Sequence, residues 1–155
     1  MRRGKLFFGT TLAIFGMFST ESRAQWTIER VDSTNSVGQW TSLVIDDSLN
    51  PHISYFDVTS TALKYATKSG GVWTLETVDN AGDVGRYTSI VLDDTMIPHI
   101  GYYDNTVFIY DPKYANRMGG VWNPEYVTSD TIEGAYTSIA LDASGNVHIS
   151  HAALV

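Results

Sequence analysis

An all-β chain of antiparallel strands, arranged as about 2.7 repeats of 47–49 residues, is the fold class this sequence predicts. Three observations predict it. First, the chain repeats itself. Trp26, Trp73 and Trp122 stand 47 and then 49 residues apart, and the same two steps separate Gly38, Gly85 and Gly134. They recur in the aromatic-Thr-Ser triplets headed by Trp40, Tyr87 and Tyr136, in Asp46, Asp93 and Asp142, and in the His-Ile pairs begun by His52, His99 and His148. Second, β-branched and aromatic residues alternate with period two through most of each repeat. Third, turn residues bound these segments, and no sustained 3.6-residue apolar period follows residue 25. A fixed period of this length marks an array of units that cannot bury their faces alone.

Taken in order, residues 1–24 read as a secretory signal peptide. Arg2, Arg3 and Lys5 form a positive start, Leu6 to Phe18 is an apolar run of 13 residues, and Ser22-Arg23-Ala24 ends in a small residue. The run is too short to span a bilayer, so the expected destination is extracellular or periplasmic, with no membrane contact after cleavage. The absence of cysteine leaves no lipid-attachment thiol, no disulfide staple and no thiolate metal site. The whole chain has 10 basic and 17 acidic residues. Removing Arg2, Arg3, Lys5, Arg23 and Glu21 with the leader leaves 6 basic and 16 acidic residues, a formal charge of −10. A surface this acidic repels phosphate backbones, which counts against nucleic acid as a partner.

The remaining residues, 25–155, divide into an outer strand at 25–32, a full repeat at 33–79, a second at 80–128 and the start of a third at 129–155. Strands are expected at 26–32, then at 40–46, 52–57, 62–68 and 72–79, then at 87–93, 98–104, part of 108–117 and 121–127, and two more follow Gly134. Four short antiparallel strands per repeat are the pattern of a β-propeller blade. The small Thr-Ser pairs suit an innermost strand crowded around a central channel. Trp73 and Trp122 suit outermost strands, where diverging blades leave wider gaps. A β-solenoid, with shorter parallel strands, fits the hairpin-like turns less well. Eleven strands do not close a ring of four-stranded blades, so the expectation is an incomplete propeller. It is completed by missing blades of a longer chain or, less readily, by homo-oligomerisation.

The segments Gly70-Gly71-Val72-Trp73 and Gly119-Gly120-Val121-Trp122 resemble the tail of the Asp-box of sialidase-type (BNR-repeat) propellers, Ser-x-Asp-x-Gly-x-Thr-Trp. Gly70 and Trp73, like Gly119 and Trp122, fall at its Gly and Trp positions. Ala66 and Lys68, and Ala115 and Arg117, stand where it has Ser and Asp. The resemblance implies a scaffold shared with secreted bacterial propellers and no activity, since the Asp-box is a structural turn.

Each of His52, His99 and His148 follows an Asp by six residues across a turn. Equivalent positions on successive blades stand apart, so a shared metal is not expected. The pairs Asp46–His52, Asp93–His99 and Asp142–His148 read as structural hydrogen bonds, since buried polar groups need partners. The turn from Asp142 to Asn146 lacks the further carboxylates of a calcium loop and reads as a plain turn. No cofactor is implied. There is no nucleophile elbow, zinc-protease motif or phosphate loop. Arg30, Arg86 and Arg117 are the only arginines after the leader and are too scattered for a sialidase cluster.

Loops at 32–39, 57–61, 79–86, 104–111 and 128–135 emerge on one face. The candidate ligand-binding residues there are Trp40, Asp57, Arg86, Tyr87, Asp104 and Tyr136. Rings beside carboxylates and amides are what neutral sugars use; packing between blades is the competing role for the same aromatics. The predicted function is a secreted binding module for an extracellular glycan or a surface protein. The alternatives are a fragment of a carbohydrate-active enzyme with its catalytic residues elsewhere, and a purely structural surface repeat.

Overall fold

The computed structural model describes residues 25–106, 110–128 and 133–153. The expected leader at 1–24, the centre of the lengthened loop at 107–109, residues 129–132 and the last two residues lie outside the described residues.

All strands are antiparallel and form three sheets among the described residues. The first holds β1 (Val37–Ile45), β2 (Pro51–Asp57), β3 (Ala62–Ser69) and β4 (Val72–Asp79) in sequence order. The second repeats it with β5 (Val84–Leu92), β6 (Pro98–Asp104), β7 (Pro112–Asn116) and β8 (Asn123–Tyr126). The third pairs β9 (Glu133–Leu141) with β10 (Val147–Ala153). A 3-10 turn at Met118–Gly120 is the only helical element described.

Three details differ from the sequence expectation. The leading strand of each repeat starts earlier, at Val37 and Val84, because pairing continues through a bulge at Gly38 and Gly85. Trp122 stands just before β8 rather than on it. Residues 26–32 are not a strand: no ladder forms on them, and Trp26 is 89% exposed. A strand exists only where a neighbour accepts its hydrogen bonds, and this segment touches the first sheet through side chains alone.

The sheets pack face against face. Leu63, Tyr65 and Val78 of the first sheet bury against Val84, Ile90, Ile100, Tyr102 and Ala115 of the second, with Trp122 at the margin. Burying each of the aliphatic side chains larger than Ala115 contributes roughly 1.5–3 kcal/mol. The Thr-Ser pairs mark the closest approach. Ser42 Oγ accepts the N–H of Ile90 at 3.2 Å, Ser89 Oγ accepts that of Ile139 at 3.3 Å, and Thr88 donates to Ser54 Oγ at 2.8 Å. Only small side chains allow neighbouring backbones this near. Gly85 lies so close to Leu63 that an added Cβ would stand 2.7 Å from its Cα.

Two polar devices join one sheet to the next. Asp79, at the end of β4, accepts from Tyr102 at 2.7 Å and from buried Lys113. Asp32 takes the equivalent Tyr55 hydroxyl at 2.8 Å. Glu76 on β4 accepts from Arg117 Nε at 2.9 Å and Trp122 Nε1 at 2.8 Å. Glu29, 47 residues earlier, accepts from Lys68 and from Trp73 Nε1 at 2.9 Å. Those two donors hold the Glu29 carboxyl below its ordinary range.

Candidate functional site

Three aromatic side chains stand in a row where the leading strands meet. The ring centroids of Trp40 and Tyr87 are 5.2 Å apart, and those of Tyr87 and Tyr136 are 4.4 Å apart. Phe56 flanks Trp40 at 5.4 Å and Tyr103 flanks Tyr87 at 6.1 Å. The local backbone explains their placement. Trp40, Tyr87 and Tyr136 have φ of 48°, 51° and 58°, the left-handed region that side chains rarely adopt. Each follows the glycine bulge, which turns the aromatic out of the regular alternation. Holding a bulky residue there costs on the order of 1–3 kcal/mol, and the same conformation recurs in all three repeats.

Arg86 completes the row. Its guanidinium lies 5.4 Å from both the Trp40 and Phe56 ring centroids, within cation–π range. It also donates to both carboxylate oxygens of Asp83. Asp83 in turn accepts from Asn105 Nδ2 at 2.8 Å, while its own N–H donates to Thr106 Oγ1 at 3.0 Å. The loop at 80–86 and the start of the loop after β6 are thereby fixed to each other, and the cation is preset. The equivalent positions in the other repeats hold Gln39 and Ala135, so this cation is unique to the second. Exposure rises along the row: Trp40 and Tyr87 are half-buried and Tyr136 is 65% exposed. Burial, with the hydrogen bond to Tyr136, raises the Tyr87 hydroxyl above its ordinary value, so it stays neutral.

Trp40, Arg86, Tyr87 and Tyr136 are thus brought together. Asp57 and Asp104 are placed differently: both are buried and face their own loops. Asp57 accepts from Thr59 N, Ser60 N and Ser60 Oγ. Asp104 accepts from Thr106 N and Tyr126 O–H. Neither carboxylate points at the aromatic row.

At the opposite ends of the leading strands, the Asp–His pairs stand at 3.4 Å for Asp46–His52, 3.5 Å for Asp93–His99 and 3.3 Å for Asp142–His148. In the first two, the other ring nitrogen meets Tyr65 or Tyr114 O–H. With Asp accepting from Nε2–H, Nδ1 accepts from the tyrosine, which fixes the tautomer. Asp46 also accepts from Asn50 and Ser48, and hydrogen bonds led by the Asn50 side chain lower its carboxyl to about 2. Asp142 is engaged the same way by Ser144 and Asn146, the geometry of a turn. No group of three metal-ligating side chains converges among the described residues.

Sequence reasoning missed Asp83, the Glu29 and Glu76 contacts, and the tyrosine partners of the histidines. The signal was present for the second: Glu29, Glu76 and Glu125 follow the same 47 and 49 steps as the tryptophans.

No family model matches this chain, and no curated protein matches it. Among solved structures, it is similar to a fucose lectin from Kordia zhangzhouensis solved in complex with methyl-fucoside. The match has a TM-score of 0.55 and 17% identity, and covers 73% of this chain and 82% of that one. At that identity the likeness is one of fold, an all-β arrangement of antiparallel sheets.

Proposed function

We propose that this chain is an exported glycan-binding module built as part of a β-propeller, with β1, β5 and β9 as the innermost strands of successive blades. Its ligand is a neutral sugar held against Trp40, Arg86, Tyr87 and Tyr136. The observation that carries this reading is the strained left-handed backbone at all three aromatics. Packing alone is served by rings on unstrained backbone, whereas strain that recurs at one surface marks a presented group. An aromatic face offers stacking to the C–H face of a sugar ring, and the Asp83-held guanidinium offers directed donors to its hydroxyls. The excess of acidic residues disfavours anionic sugars. A fold shared with a lectin solved with methyl-fucoside supports the same ligand class.

The test is a glycan array followed by calorimetry on the best ligand, with methyl-fucoside as first probe. Arg86→Ala and Tyr136→Ala are expected to weaken binding by about tenfold or more each, the loss of one directed or stacking contact. Wild-type affinity in both variants places the glycan elsewhere. No glycan bound at millimolar concentration removes the reading.

A further inference from the structure

The first two repeats hold the loops beside the aromatic row with the same backbone contacts and furnish them with different side chains. In the first repeat, Val58 N–H donates to Ser36 C=O at 3.0 Å and Ser36 N–H donates to Thr59 Oγ1 at 3.1 Å. In the second, Asn105 N–H donates to Asp83 C=O at 2.8 Å and Asp83 N–H donates to Thr106 Oγ1 at 3.0 Å. Ser36, Gln39 and Val58 thus stand where the second repeat has Asp83, Arg86 and Asn105. The loops of the first repeat close without those three side chains, so that repeat is an internal control for what they add. They add aimed hydrogen-bonding groups. Asp83 Oδ2 accepts from Arg86 Nη2 at 2.6 Å and from Asn105 Nδ2 at 2.8 Å, so the guanidinium and the amide meet on one oxygen. Arg86 directs Nε–H and one Nη2–H at Asp83, which leaves the N–H groups at the other end of the guanidinium free to donate. A carboxylate only accepts, so the amide nitrogen of Asn105 faces Asp83 and its Oδ1 faces away. Among the described residues nothing donates to that oxygen. Asn105 is half-buried and the Arg86 side chain is 31% exposed, so a ligand can reach both.

We propose that Asn105 is a further ligand-contacting residue of the sugar site and sets its specificity; this rests on the glycan reading above. The free N–H groups of Arg86 donate to hydroxyl oxygens of the sugar. Asn105 Oδ1 accepts the proton of one of those hydroxyls or of its neighbour on the ring. A hydroxyl is the sugar group that both accepts and donates, whereas an ether oxygen or a carboxylate only accepts. The site therefore selects a sugar with a free hydroxyl at this place. It rejects the same sugar when that hydroxyl is removed, O-methylated or replaced by a carboxylate, which the Asp83 carboxylate would also repel. In the third repeat Ala135 stands in the place of Arg86, so this selection belongs to the Trp40 side of the row.

The probes are the methyl glycosides of fucose, galactose, glucose and mannose, titrated calorimetrically into the full chain. For each that binds, the series is extended to derivatives with each ring hydroxyl in turn removed or O-methylated. Asn105→Val is the informative variant, because Val58 occupies the same place in the first repeat and the backbone contact does not need the amide. It should keep the melting temperature of the wild type and weaken the best sugar by about tenfold. In the wild type, removing one particular hydroxyl should also weaken binding by about tenfold, and in Asn105→Val the same removal should cost much less, a coupling that a merely structural role would not produce. Wild-type affinity in Asn105→Val overturns the proposal, as does a loss equal for every derivative with no hydroxyl coupled to it. Should Asn105→Val not fold, the wild-type series decides alone: equal affinity for every derivative overturns the proposal. In these cases the wild type still binds sugar and the glycan reading stands. Absence of any binding by the wild type removes both.

Discussion

The first and second sheets are built from nearly the same sequence and differ in burial. Leu43 on β1 is 58% exposed, while its equivalent on β5, Ile90, is 7% exposed. All seven residues of β6 are buried, whereas Pro51 and Ile53 of β2 are only half-buried. Gly38 faces open space, and Gly85 is pressed against Leu63. Among the described residues the second sheet has a packed neighbour on each side and the first has one. Burial here belongs to the interface between units more than to the unit itself, as expected where each repeat contacts only its neighbours. The same residue type is therefore worth different amounts in different repeats.

The glycines give the largest expected contrast. Gly85→Ala should destabilise by about 2–4 kcal/mol, combining overpacking against Leu63 with an unfavourable φ, whereas Gly38→Ala should lose only about 1 kcal/mol. Equal losses in denaturant titrations would break the comparison. The lysines come next. Lys113→Met leaves the buried Asp79 carboxylate without its cation and should cost about 3–5 kcal/mol. Lys64, whose ammonium donates to the hydroxyl of Thr77, should cost under about 1 kcal/mol when changed to Met. The histidines are smaller: His99→Ala should cost about 1–3 kcal/mol, and His148→Ala, exposed and paired among the described residues with Asp142, under about 1 kcal/mol.

Acid should sharpen the same contrast. Burial alone would raise the Asp79 carboxyl, but hydrogen bonds led by that from Lys113 more than offset this and hold it below 3.8. A carboxyl lowered by folding contributes stability that is complete above its unfolded value of about 3.9 and is lost as pH falls through the folded one. Stability should thus decline below about pH 4, and Lys113→Met should flatten that decline. Asp46, lowered to about 2, adds to the loss over the same range.

Much of this was legible in the sequence because a repeat reports its own period. Turn residues and alternation located β2, β3, β4 and β6 within a residue or so. The bulge before each aromatic was not legible. Gly38 and Gly85 stood out only as repeat positions, and φ above zero at the following Trp40 and Tyr87 is enforced by pairing across the bulge, which no local propensity announces. The grouping of Trp40 with Arg86 depends on two sheets meeting and became visible only in three dimensions. Asp57 and Asp104 looked available to a ligand because an Asp at a strand end can face solvent or cap its own loop, and here both cap. Residues 26–32 carry a strand's alternation, but among the described residues no strand pairs with them.

The central claim is that the aromatic row with Arg86 receives a neutral sugar. Indole N–H resonances test it most directly, because the chain has four tryptophans in three different settings. Trp40 lies in the row, Trp73 and Trp122 are held by Glu29 and Glu76, and Trp26 is exposed. Titration with a bound glycan should shift the Trp40 signal progressively and leave those of Trp73 and Trp122 in place. Saturable binding that moves Trp73 or Trp122 while Trp40 stays unchanged would contradict the account.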